Sequence, residues 1–338
     1  MIASHLRHGR KARGFTLIEF MVAMTISLIV LAALSSIYVS SGQAFRSNDN
    51  FARIQENTRI AFDLMSRDLR QTGYMGCNSN TATIKNVLNS PTGLLWNFGT
   101  PVYGYQSQAS SWNVTPDAVI TGPAPIAGLN HDILVVRSLD DGGGVVTDNT
   151  SSTGTLTVSG QSGITAGDIL VTSNCELTAI FQATAVTTSS GSDVITHAAG
   201  TTVTPGNLSN SLNTTFKNMD VRRVSSKIYY IGTGANNIPA LFVRRSNETA
   251  SQELVEGIDG MSISYGVDTD NDYAANSYQA ANLVTDWTQV VSVQITLWAI
   301  SPENYVATAS QSNAAGTATD KRQRQQMTMT ISLRNRTG

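Results

Sequence analysis

From Phe15 to Phe45 the chain carries one charged side chain, Glu19, in an otherwise apolar and small-residue run. A helix needs about 20 apolar residues to span a hydrocarbon core, and Phe15 to Val39 exceeds that length. Arg7, Arg10, Lys11 and Arg13 stand in front of the run with no acidic residue among them. That asymmetry holds the N-terminus in the cytoplasm and sends the C-terminal remainder of the chain across the membrane. Beyond the run the period stays helical, with Phe51, Ile54, Thr58, Ala61, Met65 and Leu69 at spacings of three and four. They lay one apolar stripe along a helix, opposite Arg53, Glu56, Arg59, Asp63, Arg67 and Arg70. Gly73 is the expected stop. Residues 15–73 are therefore predicted as one helix, about 85 Å long at 1.5 Å per residue, with its transmembrane half at about 15–39. No single globular domain buries such a helix, so its first half must lie in lipid or among similar helices in a fibre.

After Gly73 the period shortens to two. Ile133–Val136, Leu156–Val158, Asp168–Val171 and Ala179–Ala183 are predicted as short strands between Gly, Ser, Asn and Asp turns. Asp140–Gly144 and Thr187–Gly191 are expected to be loops. The polar stretch Thr201–Asn213 marks a sub-domain boundary, dividing a first β-rich region (74–215), with an inserted module at about 130–200, from a C-terminal region (216–338). There the alternation is cleanest: Met261, Ile263, Tyr265 and Val267; Val291, Val293, Ile295 and Leu297; Met327, Met329, Ile331 and Leu333. Each set lines one face of an antiparallel strand that packs on something, and the Phe51–Leu69 stripe is the expected partner. The fold class is α+β: one long N-terminal helix on an antiparallel β-sheet head, with an additional β-rich module.

The setting of Glu19 is Gly14-Phe15-Thr16-Leu17-Ile18-Glu19, which closely resembles the processing site of type IV prepilins and type II secretion pseudopilins. A secretory signal instead ends its apolar region at a small-residue cleavage site. The resemblance implies residues 1–14 as a leader, cleavage between Gly14 and Phe15 by a membrane-embedded prepilin peptidase, and N-methylation of Phe15. Glu19 would then serve assembly, its carboxylate facing the Phe15 amine of a neighbouring subunit. An ionisable group in hydrocarbon is costly and functional by default, and an unpaired one is penalised, so only a correctly staggered neighbour satisfies it. Ala166–Cys175 with Ala179–Gln182, Val255–Asp270 and Ile331–Asn335 resemble PilW-type minor pilins. The family implies a low-abundance subunit that primes pilus assembly at the tip. Its implied partners are other minor pilins and the major pilin, through the N-terminal helix, and a tip adhesin. The implied location is the inner membrane, single-pass with a periplasmic C-terminal head, and after assembly the extracellular pilus. Between about 80 and 130 nothing is recognised.

Loss of the leader removes four of the 22 basic residues and none of the 24 acidic ones, leaving a formal charge of −6. That balance gives no support to general nucleic-acid binding. The two cysteines, Cys77 and Cys175, form an even pair in an exported chain, which favours a disulfide, with two buried thiols as the alternative. Closing a loop of roughly 100 residues contributes about 4 to 5 kcal/mol in the chain-entropy model. Asp268, Asp270 and Asp272 have the alternate acidic spacing of a calcium loop. However, the Gly at loop position six of an EF-hand is lacking and Gln279 stands where it has Glu, so a calcium site and a solvated acidic turn both stay open. No other cofactor is expected.

The chain has no Gly-x-Ser-x-Gly, P-loop or His-Glu-x-x-His, so an enzyme is not indicated. His131 and His197 are expected at turns or strand edges. Arg222-Arg223 and Arg244-Arg245 could meet DNA, but adjacent strand residues point to opposite faces, which favours a salt-bridged sheet surface. The alternatives to a minor pilin are a J-type minor pseudopilin of type II secretion, or a DNA- or calcium-binding module on a pilin anchor.

Overall fold

The computed structural model describes residues 14–74, 76, 83–108, 111–120, 123–174, 176–189, 191–307, 309–312 and 320–336. The chain divides between Asp49 and Asn50 into two compact units.

Helix α1 (Leu17–Gln71) begins in the first unit, where its residues up to 46 are exposed. It is the one helix among the described residues long and apolar enough to cross a membrane. Two of its hydroxyls are satisfied within the helix. Thr25 Oγ1 donates to the Val22 carbonyl at 2.9 Å, and Ser35 Oγ to the Leu31 carbonyl at 2.8 Å. Such back-bonding lets Ser and Thr sit in lipid without an open donor.

In the second unit, the remainder of α1 buries Asn50, Ile54, Thr58, Ala61, Phe62, Met65, Asp68 and Leu69. The stripe runs where its spacing predicts, with two differences. Phe51 is partly exposed, and Phe62 and Asp68 are buried. The helix stops at Gln71. Gly73 stands in the left-handed region at φ +76, as a C′ glycine does, while its N–H leaves the helix and donates to the Arg137 carbonyl.

Two sheets complete this unit. The strands are β1 (Ile84–Asn86), β2 (Val102–Tyr105), β3 (Ile133–Asp148), β4 (Leu156–Ser159), β5 (Ile169–Ser173), β6 (Thr178–Gln182), β7 (Ala185–Ser189) and β8 (Ser192–Thr196). They continue with β9 (Asp220–Thr233), β10 (Pro239–Arg245), β11 (Gln252–Glu256), β12 (Ile258–Val267), β13 (Ser277–Gln279), β14 (Val290–Ile300) and β15 (Arg324–Ser332). The larger sheet has the order β1-β6-β5-β9-β3-β4-β8-β7, with β2 beside β3 and β10–β11 beside β9. The smaller is β13-β12-β14-β15. Among the described strand pairs only β1–β6 is parallel, and His131 and Met261 form an isolated parallel bridge.

One core joins helix and both sheets. Ile54, Ala61, Met65 and Leu69 share a cluster with Leu134, Val136, Tyr229 and Ile231 of the larger sheet, and with Met261, Ile263, Val293 and Ile295 of the smaller. A second cluster lies under β4, β5, β6 and β8, with Leu212 and Phe216 sealing it. The predicted alternation appears in β12 and β14. In β15 it is only half covered: Ile331 is buried but Met329 is 38% exposed. β15 is the outermost strand and pairs with β14 alone, so its apolar face extends past the core.

The Asp140–Gly144 run is not a free loop. It is carried within β3 across an irregularity, with Gly143 opposite Arg222 and Gly144 opposite Val221. A Cβ on Gly143 would collide with the Val221 carbonyl oxygen, so the glycines admit a close backbone approach inside a strand. Thr187 to Ser189 likewise complete β7, which pairs with β8.

Candidate assembly and processing site

Gly14 and Phe15 precede the first helical residue, and Phe15 is 91% exposed. A Cβ on Gly14 would meet no atom within 4 Å. Nothing in the surrounding chain requires glycine there. The next four residues are tied together. Thr16 N–H donates to Glu19 Oε2 at 2.9 Å and Thr16 Oγ1 to the same oxygen at 3.0 Å, while Glu19 N–H donates to Thr16 Oγ1 at 3.2 Å. This is a capping box, in which each side chain satisfies a backbone donor of the other at a helix start. Thr-x-x-Glu is the sequence signature of such a cap, a signal that the expected assembly role left unread. The cap gives Glu19 a local partner that the assembly reading alone does not supply.

In the second unit, Asp68 takes the Lys227 ammonium at 2.7 Å on Oδ1 and the Tyr229 hydroxyl on Oδ2. All three groups are buried, and burial beside the carboxylate pushes the Tyr229 phenol well up. Asn57 Nδ2 donates to the Glu256 carbonyl at 3.0 Å, and Asn335 Nδ2 to the Thr72 carbonyl at 3.1 Å. Polar bonds therefore fix this part of α1 along its length. Sequence reasoning missed Asp68, although a carboxylate three residues beyond Met65 lies at the border of the apolar stripe.

The larger sheet meets the smaller at Asp132. Its Oδ1 accepts from Ser107 N–H at 2.8 Å and its Oδ2 from Ile263 N–H at 2.9 Å. Burial outweighs those two bonds and pushes its carboxyl up to about 6.

Asp268, Asp270 and Asp272 come together, with one carboxylate oxygen of each within 4.8 Å of the others. Asp268 already accepts from the N–H groups of Asp270, Asn271 and Tyr273, Asp270 from Asn276 Nδ2, and Asp272 from Ala274 N–H. The carboxylates organise the turn themselves, and although burial raises the Asp268 carboxyl, the bonds from Tyr273, Asn271 and Asp270 together outweigh it and hold the group below the usual carboxylate range. His131 Nδ1 lies 2.9 Å from the Leu129 carbonyl and His197 Nε2 lies 2.7 Å from that of Gly154. Both imidazoles are buried, so neither is at an exposed edge. Among the arginines, Arg222 faces Asp220 at 3.6 Å, Arg223 faces Asp168 at 3.3 Å and Arg245 faces Glu248 at 3.0 Å. Cys77 and Cys175 lie outside the described residues. Their neighbours do not: a Cβ on Gly76 would stand 2.6 Å from Ser173 Cβ.

A cleavable-type N-terminus, an apolar helix capped through Glu19 and a β-rich head on the helix's second half define a pilin-type subunit. Residues 9–35 match the model of the prokaryotic N-terminal methylation motif, and residues 228–335 match that of type IV pilus-assembly protein W. The N-terminal segment is thus similar to prepilin-type signals, and the stretch from β9 past the end of β15 to the type IV pilus-assembly W proteins. The chain is 33% identical over 67 residues to pilin-like protein PilA3 of Thermus thermophilus, covering 20% of this chain and 29% of that one. The chain thus spans under a third of that curated relative's length. A type IV-like pilin of the same organism aligns over 84% of this chain and 98% of its own at 9% identity, with a TM-score of 0.30.

Proposed function

We propose that this chain is a structural subunit, not an enzyme, that primes type IV pilus assembly within a tip complex of minor pilins. The observation that supports this reading is Glu19, a carboxylate on an exposed apolar helix five residues past the Gly14–Phe15 bond. In the isolated chain Thr16 satisfies it. On assembly the freed, methylated Phe15 amine of a neighbour takes over that oxygen, exchanging bonds from uncharged donors for an ion pair that is stronger in low dielectric. The head then stands on the periplasmic side, and the helix contacts other minor pilins, the major pilin and the prepilin peptidase.

The test is Glu19→Gln in a piliated strain. It retains the capping bond to Thr16 and loses the charge, so insertion, cleavage and the head's fold should persist. Copies in sheared pili and co-purification with other minor pilins should fall severalfold. Normal recruitment would show that ionic pairing is not what Glu19 supplies. Recovery with secretion-system pseudopilins in place of pilus subunits would point to the J-type reading.

A further inference from the structure

Arg137, on β3, is 3% exposed. Two of its five donors are committed: Nη1 to the Thr100 carbonyl and Nη2 to the Leu94 carbonyl. Its Nε–H is buried without an acceptor, and among the described residues no carboxylate lies within ion-pair distance of it. A buried cation that lacks a countercharge is costly. Two carbonyls hold this one rigidly but do not neutralise it. Burial lowers its pKa to about 10, so it stays cationic at neutral pH.

Arg137 lines a cavity of about 430 Å³, within the range of small-ligand sites. Tyr103, Tyr105 and Trp287 form aromatic walls, and Asn97 and Asp117 add a polar edge. Tyr103 and Trp287 rings lie 4.8 Å apart at 47°, and Tyr103 meets Tyr105 edge-on at 5.3 Å. Asp117 Oδ1 accepts from Val119 N–H at 3.0 Å, which fixes that carboxylate without bringing it to Arg137. The Nε edge of a guanidinium, with one Nη–H, is a fork that fits a carboxylate bidentately. Aromatic walls suit an apolar ring face, and Asp117 and Asn97 suit hydroxyl groups.

We infer that this pocket binds an acidic saccharide, its carboxylate on Arg137, its ring against Tyr103 and Trp287, and its hydroxyls on Asp117 and Asn97. The guanidinium is already immobilised, so binding orders little that is mobile. The site uses both sheets, since Arg137 and Tyr103 come from the larger and Trp287 stands immediately before β14.

Titration calorimetry on the detergent-solubilised full chain tests this with glucuronic acid, glucose and acetate. Glucuronic acid should bind at least about tenfold more tightly than either, a factor equal to about 1.4 kcal/mol. Arg137→Gln should abolish the preference for the acid over glucose. Because that variant also loses the Leu94 and Thr100 tethers, Asp117→Asn serves as the second variant and should weaken glucuronic acid severalfold with the fold unchanged. Equal affinity for glucose and glucuronic acid, acetate binding as tightly as the sugar acid, or no saturable heat with any of the three would overturn the inference.

Discussion

Asp68 faces the head from the end of α1, where it holds Lys227 and Tyr229 of β9. Deleting one partner of a buried pair leaves an uncompensated charge, at about 3–5 kcal/mol. Asp68→Ala should therefore lower the denaturation midpoint of the detergent-solubilised chain strongly. Replacing both partners by apolar residues, as Asp68→Leu with Lys227→Met, should recover most of the loss, because an apolar pair of similar volume is often as stable. An unchanged midpoint in Asp68→Ala would show that the pair is dispensable. At this scale the sequence disclosed types and not partners. Glu19 was conspicuous because it stood alone among apolar residues. Asp68, at the border of the apolar stripe, carried no such signal, and only β9, 159 residues away, makes it internal.

At the scale of elements, the end of α1 and the end of β5 converge. Gly76 lies against Ser173, one residue before Cys77 and two before Cys175. Non-reducing peptide mapping of exported protein should recover Cys77 and Cys175 in one linked peptide, joining the helix end to the β5–β6 hairpin. Two freely alkylated thiols would refute the link. The elements themselves were largely legible. Helical spacing located the buried stripe from Ile54 to Leu69, and alternation located β12 and β14, because one-sided burial imposes those periods. What misled was composition. Asp140–Gly144 has the residues of a loop, yet β9 supplies it with pairing partners and needs glycine for close approach. Pairing is non-local and leaves no mark in the run itself. The sugar-binding pocket was hidden for the same reason, its members coming from the 94–100 loop, β2, β3 and the turn before β14, within and beyond a stretch without pattern.

At the scale of the whole molecule, Asp132 sets a pH dependence. Its folded pKa of about 6 stands above its ordinary value of 3.8, so the folded state binds more protons between those values. The protonated form's advantage is full below about pH 4 and is lost as pH rises through about 6, to the extent of about 3 kcal/mol. Asp193, Asp268, Asp286 and Asp320 are shifted the other way. They act below their ordinary value, whereas burial lowers the His197 imidazole from its ordinary 6.5, so it works against Asp132 as pH rises toward that value. Thermal unfolding should show the wild-type melting temperature falling relative to that of Asp132→Asn as pH rises from the ordinary to the folded pKa of Asp132. A difference between wild type and Asp132→Asn that stays constant from pH 4 to 6 would contradict the burial-driven shift.

The stripe on α1 is made early and covered late. Its partners in β12 and β14 lie some 200 residues further on, and Asn335, which caps its last carbonyls, lies 264 residues beyond Gln71. Chains emerge N-terminus first, and distant contacts repay their closure entropy only once both ends exist. A greasy helix face therefore waits, unsheathed, through most of the protein's synthesis, and a nascent subunit halted before β14 exposes the surface that quality-control proteases recognise.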